Sequence, residues 1–349
     1  MKAAITGACG YVGLNLVRTL LDAGHEVLAL DRVHSPHLDK RARWQELDIF
    51  DAEGLRRALD GIEVVFHLVA KITLLKEDEP TWHINVEGVK AVADGALAAG
   101  VRRVVHVSSI ASFDMYQING KMIDETAPRS IDDALPVYAR SKYAGERELM
   151  ERAKDGLEVV VCYPTGIFGP EDYGWPMPHL NGNMIDAARG KLPVMVEGGF
   201  DLVDVRDLSR GLLLAAEKGR NGETYLLGGT YISMIDACRL SASMVGRPGP
   251  KFMLPMKLLK GIAAITAPLA RRTGKESEFL SEVALDTIET SPRVDHSKAV
   301  RELGYQPRPI EDTIRDLLTF SINHGRFMPE KKGAKQGPIP VPEPDQPKA

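Results

Sequence analysis

Lys2-Ala-Ala-Ile-Thr-Gly7-Ala-Cys-Gly10-Tyr-Val-Gly13 is a short apolar run that breaks into three glycines and resumes as an amphipathic segment. Lys2–Thr6 reads as a strand and Tyr11–Ala23 as a helix, so Gly7, Gly10 and Gly13 occupy the turn between them. The spacing is G-x-x-G-x-x-G, one residue longer in its first gap than the common dinucleotide pattern. Glycine there permits a sharp turn and lets backbone N–H groups approach a pyrophosphate at a helix N-terminus. Strand, loop and helix in that order are the setting such chemistry requires. Cys9, inside the loop, is read as a small packing residue.

Outward from this turn, apolar strands alternate with helical stretches. Strands are expected at Glu26–Asp31, Arg43–Asp48, Val64–Leu68, Arg103–Ser108 and Glu158–Tyr163. Helices are expected near Asp51–Leu59, Thr81–Ala99 and Tyr138–Lys154. Continuous apolar runs such as VVF and VVHV suit strands covered on both faces. The alternation predicts an α/β fold with a Rossmann-type doubly wound parallel sheet. After about residue 165 the rhythm changes. Gly166–Lys191 is rich in Gly, Pro, Asn and aromatics and reads as loops lining a cleft. Val194–Val205 and Glu223–Leu227 read as strands. Asp207–Lys218, Met234–Val245, Leu254–Ala270, Lys298–Leu303 and Ile310–His324 read as helices. The predicted organisation is therefore a nucleotide-binding Rossmann domain over 1–165, then a smaller, mostly helical substrate-binding lobe over 166–328 that partly returns to the first sheet. A flexible tail over 329–349 follows, with six prolines and no period.

Composition narrows the function classes. The 349 residues are 44% hydrophobic and 26% charged, as in globular proteins, with 44 basic against 48 acidic residues and a net charge of −4. A broad nucleic-acid surface is not expected. Cys9, Cys162 and Cys238 are scattered without metal-ligand spacing, so neither a disulfide framework nor a metal site is expected. The N-terminus enters a strand directly, without the design of a signal peptide, which favours a cytoplasmic setting. Phe252–Ala270 is the most apolar stretch, but lysines and prolines interrupt it. That allows a peripheral membrane contact and disfavours a transmembrane span.

Asp31 closes the second strand, 18 residues after Gly13. A carboxylate there can accept both hydrogen bonds from an adenosine ribose and repel a 2′-phosphate, favouring NAD over NADP. Arg32 follows and softens that exclusion. Asp48, in Leu-Asp-Ile-Phe-Asp, ends the next strand and can reach an adenine edge; this acid or Asp51 can equally cap the following helix. Tyr138 and Lys142 stand at i and i+4 on one helix face. A free phenol ionises near pH 10, and an adjacent ammonium lowers that value and can hold a ribose hydroxyl. Ser109 ends a strand at the carboxyl edge of the sheet, where its hydroxyl can hold a substrate oxygen. His67 and His106, on or near buried strands, read as satisfied core histidines.

Together, TGACGYVG, Asp31, LDIFD, VFHLVA, INVEG, VVHVSS, YARSK and YPTGIFGP resemble an extended short-chain dehydrogenase/reductase of the NAD-dependent epimerase/dehydratase superfamily. The resemblance spans Met1–Met328 and includes LVDVRDLSRGLLLA and DHSKAVRELGYQPRPIEDTI. It implies Ser109, Tyr138 and Lys142 as a catalytic triad, with Asn85 supporting it through a backbone and water relay. It implies cofactor contacts at Gly7, Gly10, Tyr11, Val12, Gly13, Asp31, Arg32, Asp48, Ile49, Leu68, Ala70, Tyr138, Lys142 and Pro164, and a homodimer formed through a helix pair. Phe113-Asp114 and HLVA depart from the aromatic-glycine pair and the HLAA common in the family, both near the nicotinamide side.

Within the family, Ile110-Ala111 stands where dehydratases carry an acidic pair. YPTGIFGP lacks the Arg and Asn of the RPxNVYGP form found in sugar-nucleotide epimerases. The branch it resembles contains 3β-hydroxysteroid dehydrogenases and dihydroflavonol-reductase-like ketoreductases. The expected activity is NAD-dependent interconversion of a secondary alcohol and a ketone on an apolar small molecule: steroid-like, flavonoid-like or acyl-chain. The alternatives are a nucleotide-sugar 4-epimerase with tightly held NAD and, more remotely, a non-catalytic NAD(P)-sensing regulator, a class that typically lacks the Tyr/Lys pair.

Overall fold

A computed structural model describes residues 1–174, 179–263 and 282–328. Seven strands form one parallel sheet: β1 (Lys2–Thr6), β2 (Glu26–Asp31), β3 (Arg43–Glu46), β4 (Val64–His67), β5 (Arg103–Val107), β6 (Glu158–Pro164) and, far along the chain, β10 (Thr224–Leu227). Their order across the sheet is β3-β2-β1-β4-β5-β6-β10. The order reverses beside β1, the crevice in which such sheets bind ligands. Before β10 come β7 (Gly166–Phe168), β8 (Val194–Val196) and β9 (Gly199–Asp204); β11 (Thr230–Ser233) and β12 (Phe252–Leu254) follow it.

Both faces of the large sheet are covered, which is why its strands are apolar throughout. On one face, Ala3, Ile5, Val64, Phe66, Val105 and Val107 pack against α1 (Tyr11–Asp22), α8 (Val205–Lys218) and the helix Ser297–Leu303. On the other, Ala4, Val65, Val104 and Val161 meet α2 (Ala52–Ala58), α4 (Gly88–Ala98) and α6 (Val137–Ala153). A third core joins β9 to α7 (His179–Ala188), α9 (Met234–Met244) and the helix Ile310–Asn323. There β11, β9 and β7 form a small mixed sheet, and β12 pairs with β8.

Several elements differ from the sequence reading for local reasons. Val194–Val205 is two strands, because Gly198, at φ +129°, turns the chain between them. Helix α8 opens at Val205, two residues before the expected Asp207, and Asp204 caps it, its side chain accepting from the Arg206 amide; Asp207 lies in the acidic first turn and binds Arg308. Asp51 caps α2 through the Gly54 amide, while exposed Asp48 accepts from Phe50 N. The helix expected over Thr81–Ala99 is interrupted by a π-helical turn at His83–Glu87, between α3 (Glu79–Trp82) and α4. Phe252–Leu254 is a strand, followed by a helix over 256–263 whose Met256, Leu259 and Ala263 turn inward. Phe252, Met253 and Leu258 remain exposed. The rest of the stretch to 270 and the expected tail over 329–349 lie outside the described residues. Among the described residues, no helix is long and apolar enough to cross a membrane.

The π turn lets α6 come very close to α4. A Cβ on Gly145 of α6 would collide with the Asn85 carbonyl oxygen and lie 3.2 Å from Val89 Cγ2. Gly145→Ala is therefore expected to destabilise the protein by about 1–3 kcal/mol, read as a lowered midpoint in urea. Gly24→Ala, in open space but at positive φ, offers a comparison in which the cost is backbone strain alone.

Candidate active site

The glycine loop is held to the sheet by backbone bonds from Gly7 and Ala8 to the Leu30 carbonyl, at 3.0 and 3.3 Å. Gly7 takes φ +79°, and a Cβ at Gly13 would lie 2.6 Å from the Ala8 carbonyl carbon. Any larger residue would push α1 away from the loop. Gly10 begins α1 without a side-chain cap, so the first-turn amides of Tyr11, Val12 and Gly13 have no capping acceptor. Asp31 Oδ2 accepts from Cys9 N at 2.9 Å, while Oδ1 accepts from Arg32 N at 2.8 Å. Loop and acidic strand end are thus one unit. They border an open cleft of about 460 Å³ lined also by Val33, His34, Ser35 and Pro36. The Arg32 side chain is exposed.

Parallel register brings the carboxyl ends of β1, β2, β4, β5 and β6 to the same edge. Leu68 and Ala70 follow β4 there, and Pro164 ends β6; Ile49, beyond β3, is buried. The Tyr11 hydroxyl donates to the Gly169 carbonyl at 2.9 Å, tying α1 to the loop after β7.

Ser109 leaves β5 as the cap of a 3₁₀ turn over Ile110–Ser112, its Oγ accepting from Ala111 N at 3.1 Å. Tyr138 stands in the first turn of α6. Burial pushes its phenol above its ordinary value, and the nearby Ser109 hydroxyl opposes that shift. This differs from the expectation that Lys142 lowers it. Lys142 is only 2% exposed, and its Nζ donates to the Val107 carbonyl at the end of β5 at 2.9 Å. Desolvation pulls that ammonium down to about 8, and the carboxylate of Glu146 acts in the opposite sense.

Buried Asn85 lies within the π turn, an interruption often found at functional sites. Its Oδ1 accepts from Lys71 N at 2.8 Å, and its Nδ2 donates to the Lys71 carbonyl and to Ser141 Oγ, each at 3.0 Å. The bonded Ser141 lies between Tyr138 and Lys142. Asn85 therefore joins the segment after β4 to α6.

Two groups escaped the sequence reading. Thr6, His67 and His106 form a polar row across β1, β4 and β5 in register. Thr6 Oγ1 and His67 Nδ1 are 2.7 Å apart, and the two imidazoles stack at 5.4 Å. Burial, then the nearby Lys142 charge, lowers both; His67 falls to about 3, so both are neutral. His106 is not satisfied as expected: neither of its nitrogens has a partner among the described residues. The other is Glu146, a third acidic or basic position on the face of Tyr138 and Lys142, legible in principle as Y-x-x-x-K-x-x-x-E. Among the described residues, no group of three or more His, Cys, Asp or Glu could hold a metal ion.

A family model described as "NAD dependent epimerase/dehydratase family" matches residues 3–228. Sterol demethylase protein B of Methylococcus capsulatus is 32% identical over 93% of this chain and 99% of its own length. A 3 beta-hydroxysteroid dehydrogenase/Delta 5-->4-isomerase of Mycobacterium tuberculosis is 28% identical over 88% of this chain and 86% of its own. Among solved structures, a nucleoside-diphosphate-sugar epimerase from Pseudomonas aeruginosa superposes with a TM-score of 0.77 at 25% identity. It covers 94% of this chain and 99% of its own.

Lys142→Met is expected to raise the melting temperature at pH 7. Burial lowers the lysine from 10.5 to about 8 on folding, so the unfolded chain holds the proton more tightly. That penalty is full below about pH 8 and fades between there and 10.5. The advantage of the variant over the parent should therefore shrink as pH rises through this window. A melting temperature lowered at pH 7 would count against a desolvated ammonium.

Proposed function

We propose that this chain, which belongs to the NAD dependent epimerase/dehydratase family, is an NAD-dependent oxidoreductase that interconverts a secondary alcohol and a ketone on an apolar, sterol-like or acyl-chain substrate. The observation that carries the reading is the placement of Ser109 at the carboxyl end of β5 and of Tyr138 and Lys142 one turn apart on α6, with the Lys142 Nζ bonded to the Val107 carbonyl at that same end of β5.

The residues present fit the cofactor. The absence of a Cβ at Gly13 lets the loop lie against α1, whose first turn has no side-chain cap, and an uncapped helix start can accept a pyrophosphate. Gly7, Gly10, Tyr11, Val12 and Gly13 would hold that group, and Asp31 the adenosine ribose, with Asp48 and Ile49 toward the adenine. Leu68, Ala70 and Pro164 would flank the nicotinamide, and Lys142 would hold its ribose. When bound, NAD supplies or takes up the hydride exchanged at the substrate carbon.

The chain's own residues move and hold the proton. Burial keeps Tyr138 protonated at neutral pH, which makes it a ready donor to a ketone oxygen while Ser109 Oγ steadies that oxygen. In the oxidising direction Tyr138 must act as phenolate. Lys142 is still cationic near neutrality, and its part in this reading is to hold the cofactor ribose one turn along α6 from that phenol. Asn85 holds the segment after β4 against α6 and so maintains the spacing of the edge.

The family model and the structural match to the Pseudomonas epimerase favour a second reading, a nucleotide-sugar epimerase with the same three residues. Against it stands Gly166, the position of the asparagine in RPxNVYGP. A Cβ there would lie 2.9 Å from Leu202 Cδ2 and 3.1 Å from the Asp201 carbonyl oxygen, so the backbone leaves little room for such a side chain. The likeness to the sterol-related proteins of Methylococcus and Mycobacterium supports the apolar substrate instead. A homodimer, as the family resemblance implies, belongs to the same proposal.

Denaturing freshly purified protein and identifying the released nucleotide separates the two. Reversible NADH binding to protein that releases no nucleotide is the expected result; near-stoichiometric retained NAD would favour the epimerase. Released NADP(H) would overturn the role given to Asp31. With a substrate in hand, Tyr138→Phe should lower turnover by about 10²–10⁴-fold while NADH binding persists. Parent-level turnover in that variant would remove Tyr138 from the chemistry.

A further inference from the structure

Below Lys142, one turn further along α6, Glu146 is buried at 6% exposure. Its Oε1 accepts from the Tyr163 hydroxyl at 2.5 Å, and its Oε2 is paired with Arg129. The same Arg129 nitrogen, Nη2, donates to Ser112 Oγ at 3.1 Å. Ser112 Oγ in turn donates to the Ser109 carbonyl at 2.7 Å. The guanidinium carbon lies 4.2 Å from the Phe113 ring centre and 4.8 Å from those of Tyr143 and Tyr163. An arginine enclosed by three aromatic faces has little freedom, and cation–π attraction is strongest when desolvated.

The backbone around Arg129 is tied to the same turn. Ser130 N donates to the Ser112 carbonyl at 2.9 Å, Ser130 Oγ to the Ala111 carbonyl at 3.1 Å, and Asp114 N to the Pro128 carbonyl at 2.8 Å. The segment 128–130 thus grips the turn that carries Ser109, and the Arg129 side chain reaches across to α6, which carries Tyr138 and Lys142.

We propose that Arg129 and Glu146 form a positioning clamp that locks the Ser109 turn onto α6 and supplies the counter-charge for Lys142. The clamp deepens the reading of Ser109, Tyr138 and Lys142 as the reacting groups and rests on it. Neither residue touches the reacting atoms. Phe113, the aromatic of the Phe113-Asp114 pair, serves here as one wall of the arginine cage.

The charges around Lys142 give the clamp a signature. Glu146, on its own helix, favours its protonated form. His106 on β5 and His67 on β4 face it as neutral rings, and Tyr138 as a neutral phenol. Arg129 and Tyr163 are the partners of Glu146, and Arg129 holds part of its charge. Burial pushes the Glu146 carboxyl up, and Arg129 is the first of the groups that oppose this. Removing the carboxylate and removing the arginine should therefore both lower Lys142, whereas general loosening of the site would admit water and raise it.

The test is an NMR titration of the full chain with ¹³C-labelled lysine, the Lys142 signal being identified by its loss in Lys142→Met. The parent midpoint is expected near 8. Glu146→Gln should lower it by about one pH unit, and Arg129→Met should lower it in the same direction by leaving Glu146 less ionised. Arg129→Lys keeps the charge but loses the planar fork, so the midpoint should stay near that of the parent while turnover falls. Should Glu146→Gln or Arg129→Met not fold, Tyr163→Phe removes one bond to Glu146 and should lower the Lys142 midpoint slightly, since the carboxyl is then less ionised. Midpoints that do not move, or that rise, overturn the clamp. Failure of the underlying reading is distinct: Tyr138→Phe would then turn over substrate like the parent, whatever the titration shows.

Discussion

A lysine ammonium almost wholly removed from water is the constraint on which the arrangement of this molecule turns. Burying a charge is costly unless polar groups surround it. The Lys142 ammonium has the Val107 carbonyl at 2.9 Å and Glu146 one helical turn away. It is buried because α6 lies so close to the sheet and to the π turn, and that closeness depends on Gly145 having no side chain. The neutral histidines beside it follow from the same burial: a second cation there would repel the first.

The cofactor edge obeys a separate constraint, the contact between the first loop and the first helix. Gly7 and Gly13 permit it, and Asp31 fastens the loop by accepting the Cys9 amide. The carboxylate is thus oriented by the backbone amides of Cys9 and Arg32. In β7, Gly166 lies against Leu202 and the Asp201 carbonyl of β9, and a Cβ there would crowd both.

Much of this was legible in the residues. Continuous apolar strands gave the parallel sheet, and the glycine spacing, Asp31 and the Tyr138/Lys142 pair marked the edge where chemistry belongs. What escaped depended on contacts distant in sequence. The π turn in His83–Glu87 carries no glycine or proline to mark it, and its Asn85 is bonded to Lys71 and Ser141, 14 and 56 positions away. His106 looked like a core residue with partners, but whether a buried ring finds a partner is a property of its neighbours. The Lys142–Tyr138 pairing had the right spacing, yet the ammonium bonded to the sheet instead, and burial raised the phenol.

By itself the sequence determined the class of fold, the position of the phosphate loop and the identity of the three candidate reacting residues, because these rest on local periodicity and on glycine and helix spacings of four. Only the tertiary structure decided how the charges are shared. Arg129 and Glu146 are 17 positions apart, and Phe113 and Tyr163 are 50 apart. No local pattern relates them; folding the sheet and docking α6 places them around one guanidinium. Electrostatic energy depends on distance and on exclusion of water, and both are set by packing rather than by order along the chain.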